Sequence, residues 1–553
     1  MSGERYKTKH HVRFVTAASL FDGHDAAINI VRRVLQDAGA EVIHLGHNRS
    51  ASEVLEAAVQ EDVQAVAVTS YQGGHIRYFK YLVDLFRQKG LGHVRVFGGG
   101  GGTILPAEIE ELEAYGVAKI FSPEDGRVMG FEGMIDYMLR ESDFSVLDKG
   151  WFDPEALAGG DAPALARALT AVEEGLGEKA VREVPEPARS GSVAPVIGIT
   201  GTGGAGKSSL VDEIVNRFLH HSPKGKVAVL AMDPTRKRSG GALLGDRIRF
   251  NSMDPERVFF RSMATRGAGR EVTDSAVHAV DLFRRAGYDL ILVETSGIGQ
   301  GDSAVTELAD LSLYVMTSEF GAPSQLEKIE MLDQADLVAI NKFDKPGSQD
   351  ALKHVRKQVR RNMKLWEAAE EDLPVVGTVA SRFHDKGVNE LYRRILEILE
   401  KKAGFKVEGP FPFDTGWLHQ PSAALIPPER VNYLGEIART VRDYKKRVRE
   451  TAEKVRRVQV LEESARLLDG EEGSRLLEKA RGEWEEVPLE VRKAVEKWPE
   501  LREQYSGKVY KARIRDKEVE YELTSTTLSG TEVPRVVLPP VEDKAEVVRY
   551  LFL

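Results

Sequence analysis

The sequence has 553 residues, of which 42% are hydrophobic and 29% are charged, and its formal net charge is −9 at pH 7. This length and composition are typical of a globular protein with about three or four domains. The negative charge leaves no general basic surface for nucleic acid, and the absence of cysteine excludes disulfides, thiolate metal sites and cysteine catalysis. The first residues carry no apolar signal-peptide core, and no apolar run approaches the ~20 residues of a membrane span. We therefore expect a cytoplasmic protein without a nucleic-acid or membrane partner.

Residues 1–150 alternate short apolar strands with amphipathic helices. Predicted strands begin near Val12, Glu41, Val63, Val94 and Ala118, and helical periodicity fills the segments between them. This alternation predicts an α/β domain with an open parallel sheet and helices on both faces. Ligands of such sheets bind beyond the carboxyl ends of the strands, where the strand order reverses.

Three loops at the predicted strand ends carry unusual residues. Asp22 and His24 follow the first strand, Ser70 ends the third, and five consecutive glycines, Gly98–Gly102, follow the fourth. Glycines at strand ends let the backbone approach a bulky ligand closely. A histidine near an aspartate can give one ring nitrogen to a metal while the carboxylate orients the ring through the other.

These loops resemble the cobalamin-binding domain of corrinoid-dependent mutases and methyltransferases, which carries Asp-x-His-x-x-Gly, Ser-x-Leu and Gly-Gly on a flavodoxin-like sheet. The resemblance implies that His24 is the lower cobalt ligand and Asp22 its orienting partner. It also implies that Ser70 and the run Gly98–Gly102, Gly98 and Gly99 above all, line the channel for the cofactor's nucleotide tail.

Two positions depart from the family pattern. Ala27 stands at the final glycine of the first motif, and Gln72 stands at the leucine of the second. Asp22 and His24 could alternatively be a surface pair of an ordinary flavodoxin-like domain, although all three loops occur together.

After a helical linker predicted over residues 151–190, a P-loop opens the second predicted domain, residues 191–405. An apolar strand precedes the Gly-rich loop and an amphipathic helix follows it, which is the arrangement that cradles phosphates. Lys207 supplies a charge for the β- and γ-phosphates and Ser208 can ligate Mg²⁺. The predicted nucleotide-binding residues of this loop are Gly201, Gly203, Gly204, Ala205, Gly206, Lys207, Ser208 and Ser209.

The sequence Asn341-Lys342-Phe-Asp344 follows another apolar strand and indicates a guanine base. The carboxylate of Asp344 can accept from two neighbouring N–H groups of guanine, a donor pair that adenine lacks. We expect Asn341 and Lys342 to hold the loop and cover the ring, and Ser381 to lie in the last base-contacting loop. The predicted ligand is GTP or GDP.

Two further apolar strands end in the carboxylates Asp233 and Glu294, and a predicted loop, residues 243–249, brings Asp246. Carboxylates at such strand ends can hold Mg²⁺ directly or through water. We expect Lys207, Asp233 and Glu294 to be the catalytic residues of this domain.

The motifs Met-Asp233-Pro, Gly-Asp246-Arg-Ile-Arg, Met-Ala-Thr-Arg266-Gly and Glu294-Thr-x-Gly-x-Gly-Gln resemble the metallochaperone GTPases that service methylmalonyl-CoA mutase and its relatives. In that family slow GTP hydrolysis gates delivery of the cofactor to the mutase. The resemblance implies four Mg²⁺ ligands: Ser208, Asp233, Asp246 and Glu294.

Residues 406–553 form a charged helical stretch followed by short strands and an apolar C-terminus. The order of the segments is similar to the N-terminal half of fused isobutyryl-CoA mutases. The resemblance implies adenosylcobalamin as cofactor and a radical 1,2-rearrangement of an acyl-CoA. It also implies that residues 406–553 dock to the substrate-binding barrel of the mutase.

Nothing in the sequence has the ~250 residues of βα repeats of such a barrel. We therefore expect the barrel to be a separate large subunit, or the sequence to be a truncated form, in a homodimer or hetero-oligomer. Two alternatives remain open: a stand-alone cobalamin-sensing GTPase and a corrinoid carrier for methyl transfer.

Overall fold

The computed structural model describes residues 6–186, 193–236, 238–244, 246–266, 274–295, 304–320, 326, 329–415, 432–514, 517–528 and 530–553. The chain divides into two compact units, Met1–Ser422 and Ala423–Leu553. Among the described residues, no helix combines the length and the apolar character that crossing a lipid bilayer requires.

Strands of the described chain form two parallel sheets and two antiparallel hairpins. In chain order they are β1 (Arg13–Ser19), β2 (Glu41–Arg49), β3 (Ala65–Thr69), β4 (Arg95–Gly99), β5 (Lys119–Phe121), β6 (Val196–Gly201), β7 (Val227–Asp233), β8 (Ala242–Leu244), β9 (Val258–Ala264), β10 (Leu290–Glu294), β11 (Leu311–Thr317), β12 (Leu337–Asn341), β13 (Val375–Gly377), β14 (Val509–Ile514), β15 (Lys517–Glu522), β16 (Thr524–Thr526) and β17 (Glu532–Pro534).

Helices connect most successive strands of the two parallel sheets, as the alternating pattern predicts. In chain order they are α1 (Ala26–Asp37), α2 (Ala51–Gln60), α3 (His75–Gln88), α4 (Pro106–Tyr115), α5 (Pro123–Ser142), α6 (Pro154–Ala158), α7 (Ala162–Ala171), α8 (Gly177–Glu183), α9 (Lys207–His221), α10 (Asp274–Arg285), α11 (Ala304–Leu308), α12 (Met331–Gln334), α13 (Ser348–Asn362), α14 (Lys386–Ala403), α15 (Tyr433–Arg466), α16 (Glu471–Glu485), α17 (Leu489–Ser506) and α18 (Lys544–Phe552).

The first sheet has the strand order β5-β4-β3-β1-β2-β8. Its central strand β1 is buried along its whole length, because helices cover both faces of a parallel sheet. The strand order reverses between β1 and β3, since β2 lies on one side of β1 and β3 to β5 lie on the other. The loops after β1 and β3 therefore diverge and open a crevice at the carboxyl edge.

The sixth strand of this sheet corrects the prediction that residues 243–249 form a loop. Ala242–Leu244 is a strand that pairs in parallel with β2, placing Ala242 opposite Glu41 and Leu244 opposite Ile43. Without β8, the buried strand β2 would present an unpaired edge. A short 3₁₀ helix, Asp246–Arg249, follows β8.

The second sheet has the order β13-β12-β11-β6-β10-β7-β9. The P-loop strand β6 lies at its centre, and β10 and β7 are the next two strands on one side. Because parallel strands end at one edge, Asp233 at the end of β7 and Glu294 at the end of β10 lie on the P-loop side of this sheet. The predicted linker forms α6 to α8, and Leu157, Leu165 and Leu169 pack in the core beside one face of this sheet.

The second unit is helical, as the sequence predicts. The long helix α15 packs against α16 and against the C-terminal helix α18, and Val455, Val491, Trp498 and Val548 are buried in their core. The apolar C-terminus therefore forms part of this core rather than an exposed tail. The predicted start of the helical stretch, at Pro427, lies outside the described residues.

Candidate functional site

The loop after β1 holds an aspartate–histidine pair in the geometry that the sequence predicts. Nδ1 of His24 lies 2.8 Å from Oδ1 of Asp22, and the backbone N–H of His24 donates to the same oxygen at 2.9 Å. Asp22 is 1% exposed, whereas the His24 side chain is 77% exposed. The buried carboxylate thus orients an imidazole whose other nitrogen, Nε2, is left for a ligand.

Tyr71, in the loop after β3, completes this arrangement. Its backbone N–H donates to Oδ2 of Asp22 at 2.6 Å, and its ring lies 5.7 Å from the His24 ring. Burial disfavours the ionised form of Asp22, but the hydrogen bonds from Tyr71 and His24 outweigh it and lower the pKa of Asp22. Asp22 therefore stays charged and ties the two loops across the crevice.

An apolar cavity of about 530 Å³ lies beside these loops. Its walls come from α1, from the ends of β3 and β4, and from α5. Residues that line it include Ile28, Val31, Ala67, Phe97, Phe121, Met134 and Met138. Cavities of this size and polarity bind small molecules or parts of larger cofactors.

The glycine run that begins in the last two residues of β4 forms one side of the cavity. Four glycines of the predicted run line it: Gly98, Gly99, Gly100 and Gly101. A Cβ on Gly100 would overlap the carbonyl oxygen of Ser70, so only glycine fits there. This close packing leaves room for the ligand on the other side of the loop.

Ser70 has a supporting position rather than the lining position that the resemblance implies. It is fully buried and is not among the described residues that line the cavity. Its hydroxyl accepts a hydrogen bond from Ser19 at 2.8 Å, and its N–H donates to the carbonyl of Gly99 at 2.8 Å. Ser70 therefore holds the loops after β1, β3 and β4 together.

The P-loop lies between β6 and the first turn of α9, as its sequence predicts. Gly206 directly precedes the helix with a φ of +92°, which is a left-handed conformation that favours glycine. Lys207 is buried, and its ammonium donates to the carbonyls of Gly201 at 3.2 Å and Thr202 at 3.5 Å. The ammonium is thus folded back over the loop that would receive the phosphates.

Two of the four predicted Mg²⁺ ligands contact each other directly. The hydroxyl of Ser208 donates to Oε1 of Glu294 at 2.8 Å. Asp233 ends β7, beside β10, and its carboxylate is partly buried. Hydroxyl and carboxylate oxygens at adjacent strand ends are the donors that Mg²⁺ prefers. The side chain of Asp246 lies outside the described residues.

The predicted guanine loop is joined to the P-loop by hydrogen bonds. Nδ2 of Asn341 donates to the carbonyl of Ala205 at 2.8 Å, and Nζ of Lys342 donates to that of Gly204 at 2.7 Å. Asp344 and Ser381 are exposed on neighbouring loops, where a base could reach them. Gly203 and Ser209 lie in the same P-loop and helix segment.

Known protein families match both sheets. The B12 binding domain family matches residues 12–130. The family described as methylmalonyl Co-A mutase-associated GTPase MeaB matches residues 165–406. Each match contains the ligand-binding loops predicted for its sheet, so the predicted cobalamin-binding and GTPase domains are confirmed.

Relatives match nearly the whole chain. The fused isobutyryl-CoA mutase of Geobacillus kaustophilus is 48% identical over 563 residues, covering 99% of this chain and 51% of the relative. That of Cupriavidus metallidurans is 50% identical over 544 residues, covering 98% and 50%. That of Nocardia farcinica is 49% identical over 550 residues, covering 99% and 51%. The chain is thus similar to fused isobutyryl-CoA mutases over nearly its whole length.

The chain spans about half the length of the curated relatives it matches. The matched half carries the cobalamin-binding domain and the GTPase domain. Cobalamin and guanine nucleotides are therefore its ligands, and GTP hydrolysis is an activity of the chain.

Sequence reasoning missed several residues that shape the two candidate sites of this chain. Tyr71 stands at the variable position of the Ser-x-Leu-like motif, so the motif gave no reason to choose it. Thr378 and Ala380 donate to Oδ1 of Asn341 at 3.2 and 3.1 Å and thereby hold the guanine loop. Thr378 and Ala380 lie just before Ser381 in the sequence, and this could have identified them.

Proposed function

We propose that this chain is the adenosylcobalamin-binding component of an acyl-CoA mutase, and that its GTPase controls loading and protection of the cofactor. When bound, adenosylcobalamin supplies the radical chemistry of a carbon-skeleton 1,2-rearrangement. The acyl-CoA would bind to a substrate-binding barrel on a partner subunit, in a homodimer or hetero-oligomer. A cytoplasmic location fits the cysteine-free composition and is part of this proposal.

The observation that carries the proposal is the anchored His24 beside the apolar cavity. Asp22 accepts from His24 Nδ1, which leaves Nε2 to hold cobalt in place of the cofactor's own base. The cavity of about 530 Å³, which Gly98 and Gly99 help to line, would then take part of the cofactor's nucleotide tail. The residues present thus fit cobalamin at both its metal and its tail.

In the nucleotide site, different residues would bind the phosphates, the Mg²⁺ ion and the base. Lys207 and the N-terminus of α9 would bind the phosphates, and Ser208, Asp233 and Glu294 would hold Mg²⁺. Asp246 would add a fourth Mg²⁺ ligand. Asn341 and Lys342 fasten the guanine loop to the P-loop, so Asp344 would meet the base beside the phosphates.

A spectral titration with adenosylcobalamin tests the proposal. The wild-type chain should bind with the spectrum of cobalamin whose own base is displaced by histidine. His24→Ala should bind more weakly or give an altered spectrum, whereas His354→Ala, an exposed residue of α13, should match the wild type. Phosphate release from GTP should be unchanged in both variants.

Two outcomes would contradict the proposal. Binding by neither the wild type nor His24→Ala would leave only the GTPase. A clear preference of the wild type for methylcobalamin over adenosylcobalamin would instead favour a carrier for methyl transfer.

A further inference from the structure

The two parallel sheets of the first unit close each other's edges. Strand β8, which comes from the chain of the GTPase domain, pairs with the edge of β2 in the cobalamin-binding domain. In return, the end of α2 in the cobalamin-binding domain covers the edge of β9, the outermost strand of the GTPase sheet. An uncovered strand edge presents unpaired N–H and C=O groups.

Gln60, the last residue of α2, satisfies this edge with its side-chain amide. Its Nε2 donates to the carbonyl of Val258 at 3.1 Å, and its Oε1 accepts from the N–H of Phe260 at 3.1 Å. The adjacent Glu61 accepts from the N–H of Ser262 at 3.1 Å and from its hydroxyl at 3.0 Å. Two side chains of one domain thus replace a neighbouring strand of the other.

The same two residues hold the guanidinium of Arg247. Nη2 of Arg247 donates to Oε1 of Gln60 at 2.9 Å, and Nη1 lies 3.5 Å from Oε1 of Glu61. Nη1 also donates to the carbonyl of Phe260 at 2.9 Å. Arg247 is 6% exposed, and burial lowers its pKa while Glu61 opposes that effect.

Burial of the Arg247 guanidinium restricts the positions that it can occupy. A buried guanidinium is costly unless its N–H groups find partners, so Arg247 stays where Gln60, Glu61 and Phe260 can accept from it. Removing an acceptor leaves a charged donor unsatisfied and moves the side chain or its backbone.

The backbone of Arg247 directly continues from Asp246, the fourth proposed Mg²⁺ ligand. Both residues belong to the 3₁₀ helix Asp246–Arg249, which follows β8. The cobalamin-binding domain therefore holds this segment on both sides of Asp246, through β2 before it and through the end of α2 after it.

We propose that Gln60 and Glu61 are positioning residues for GTP hydrolysis. They fix Arg247, and through it the segment that brings Asp246 to Mg²⁺, although they belong to the cobalamin-binding domain. This inference rests on the proposed role of Asp246. It predicts a defect in the use of Mg²⁺ rather than in binding of the base, because the guanine loop makes its own contacts with the P-loop.

The test is GTP hydrolysis by the full chain as a function of Mg²⁺ concentration. Gln60→Met keeps the length of the side chain and removes its hydrogen bonds, and we expect the half-saturating Mg²⁺ concentration to rise about tenfold. Glu61→Gln should have a smaller effect, because its oxygen lies farther from Arg247. The KM for GTP at saturating Mg²⁺ should change by less than about twofold in both variants.

Asp62→Asn is the matched control. Asp62 is buried at the same helix end, but it accepts from Arg167 at 2.8 Å and from Thr170 at 2.9 Å rather than from Arg247. Its Mg²⁺ dependence should therefore equal that of the wild type. An equal rise in Asp62→Asn would show general loss of stability and would overturn the inference.

Two further variants separate the possible failures. Arg247→Lys keeps the positive charge but loses the guanidinium, which donates from two nitrogens. It should therefore reproduce the Mg²⁺ defect even where Gln60→Met fails to fold. Asp246→Asn should raise the half-saturating Mg²⁺ concentration more than Gln60→Met, Glu61→Gln or Arg247→Lys. No change in Asp246→Asn would reject its role as a ligand, and with it the inference. A change in Asp246→Asn without one in Gln60→Met and Arg247→Lys would reject the inference alone.

Discussion

The candidate cobalamin site and the candidate nucleotide site lie at the carboxyl edges of two parallel sheets, but they are built from different groups. The candidate cobalamin cavity is walled by apolar side chains, and the polar cluster of Asp22, His24 and Tyr71 lies beside it. The nucleotide site is built from backbone groups of the P-loop, from Lys207 and from the side chains that fasten Asn341.

The same architecture can therefore serve two ligands of opposite character. Binding in the cavity depends on its shape and on the apolar surface that the ligand buries. Binding of phosphates depends on a few donors and charges whose effect is large because they are buried. Substitutions that change side-chain volume should therefore weaken ligand binding in the cavity. Substitutions that remove a charge or a hydrogen bond should weaken binding at the nucleotide site.

The largest expected effect is that of Lys207→Ala. Loss of the buried ammonium removes the charge that would meet the β- and γ-phosphates, so GTP hydrolysis should fall by about 10²- to 10³-fold or more. Adenosylcobalamin binding should be largely unchanged. Phosphate release and a spectral titration measure the two effects, and simultaneous loss of both would count against two separable sites.

Asn341→Ala should have the next largest effect. It removes the bond to the Ala205 carbonyl and leaves the buried donors of Thr378 and Ala380 without their acceptor. At about 1–3 kcal/mol for such a loss, affinity for GDP should fall about ten- to a hundredfold. Titration calorimetry with GDP measures the change, and an unchanged affinity would refute the role of these contacts.

Gly100→Ala tests the shape of the cobalamin cavity without changing any charge. The new Cβ would overlap the carbonyl of Ser70 and push the glycine run toward the ligand, so affinity for adenosylcobalamin should fall about tenfold. Gly102→Ala is the control, because a Cβ there meets nothing within 4 Å. Equal affinity of the two variants would show that the close packing of Gly100 does not shape the site.

The smallest effect concerns His44, which lies on β2 opposite Thr16 with Nδ1 2.9 Å from its hydroxyl. Burial, reinforced by Arg32, lowers the pKa of His44 to about 4 from its usual 6.5. The unfolded chain therefore binds more protons between these values, and stability falls as the pH drops below about 6.5.

At pH 5 the loss amounts to at most about 2 kcal/mol. His44→Asn should remove this part of the pH dependence. We expect the unfolding midpoint of the wild type to fall by a few degrees more than that of the variant between pH 7.5 and pH 5. Parallel curves would show that His44 does not titrate with unfolding.

Local patterns were sufficient for the elements that carry the motifs. The predicted first strand, beginning near Val12, is observed as Arg13–Ser19, and the helix after the P-loop is observed as Lys207–His221. Buried parallel strands read as apolar runs and helices show their own period, so neighbouring residues contain the signal.

Long-range contacts were not predictable in the same way. Strand β8 has three residues, too few for a pattern, and its partner β2 lies about two hundred residues earlier. Gln60 is likewise far in sequence from its partners in β9: Val258 is 198 positions away and Phe260 is 200 positions away. Nothing in the neighbourhood of either segment indicates its partner.

Short stretches of the sequence were enough to predict a P-loop, a guanine-binding motif and strand-end loops like those of cobalamin-binding domains, because the chemistry of each lies in neighbouring residues. The tertiary structure was needed to see that Ser70 joins the ends of β1 and β4 and that the two sheets close each other's edges. Those features depend on which buried polar groups meet across the fold, where each must find a partner.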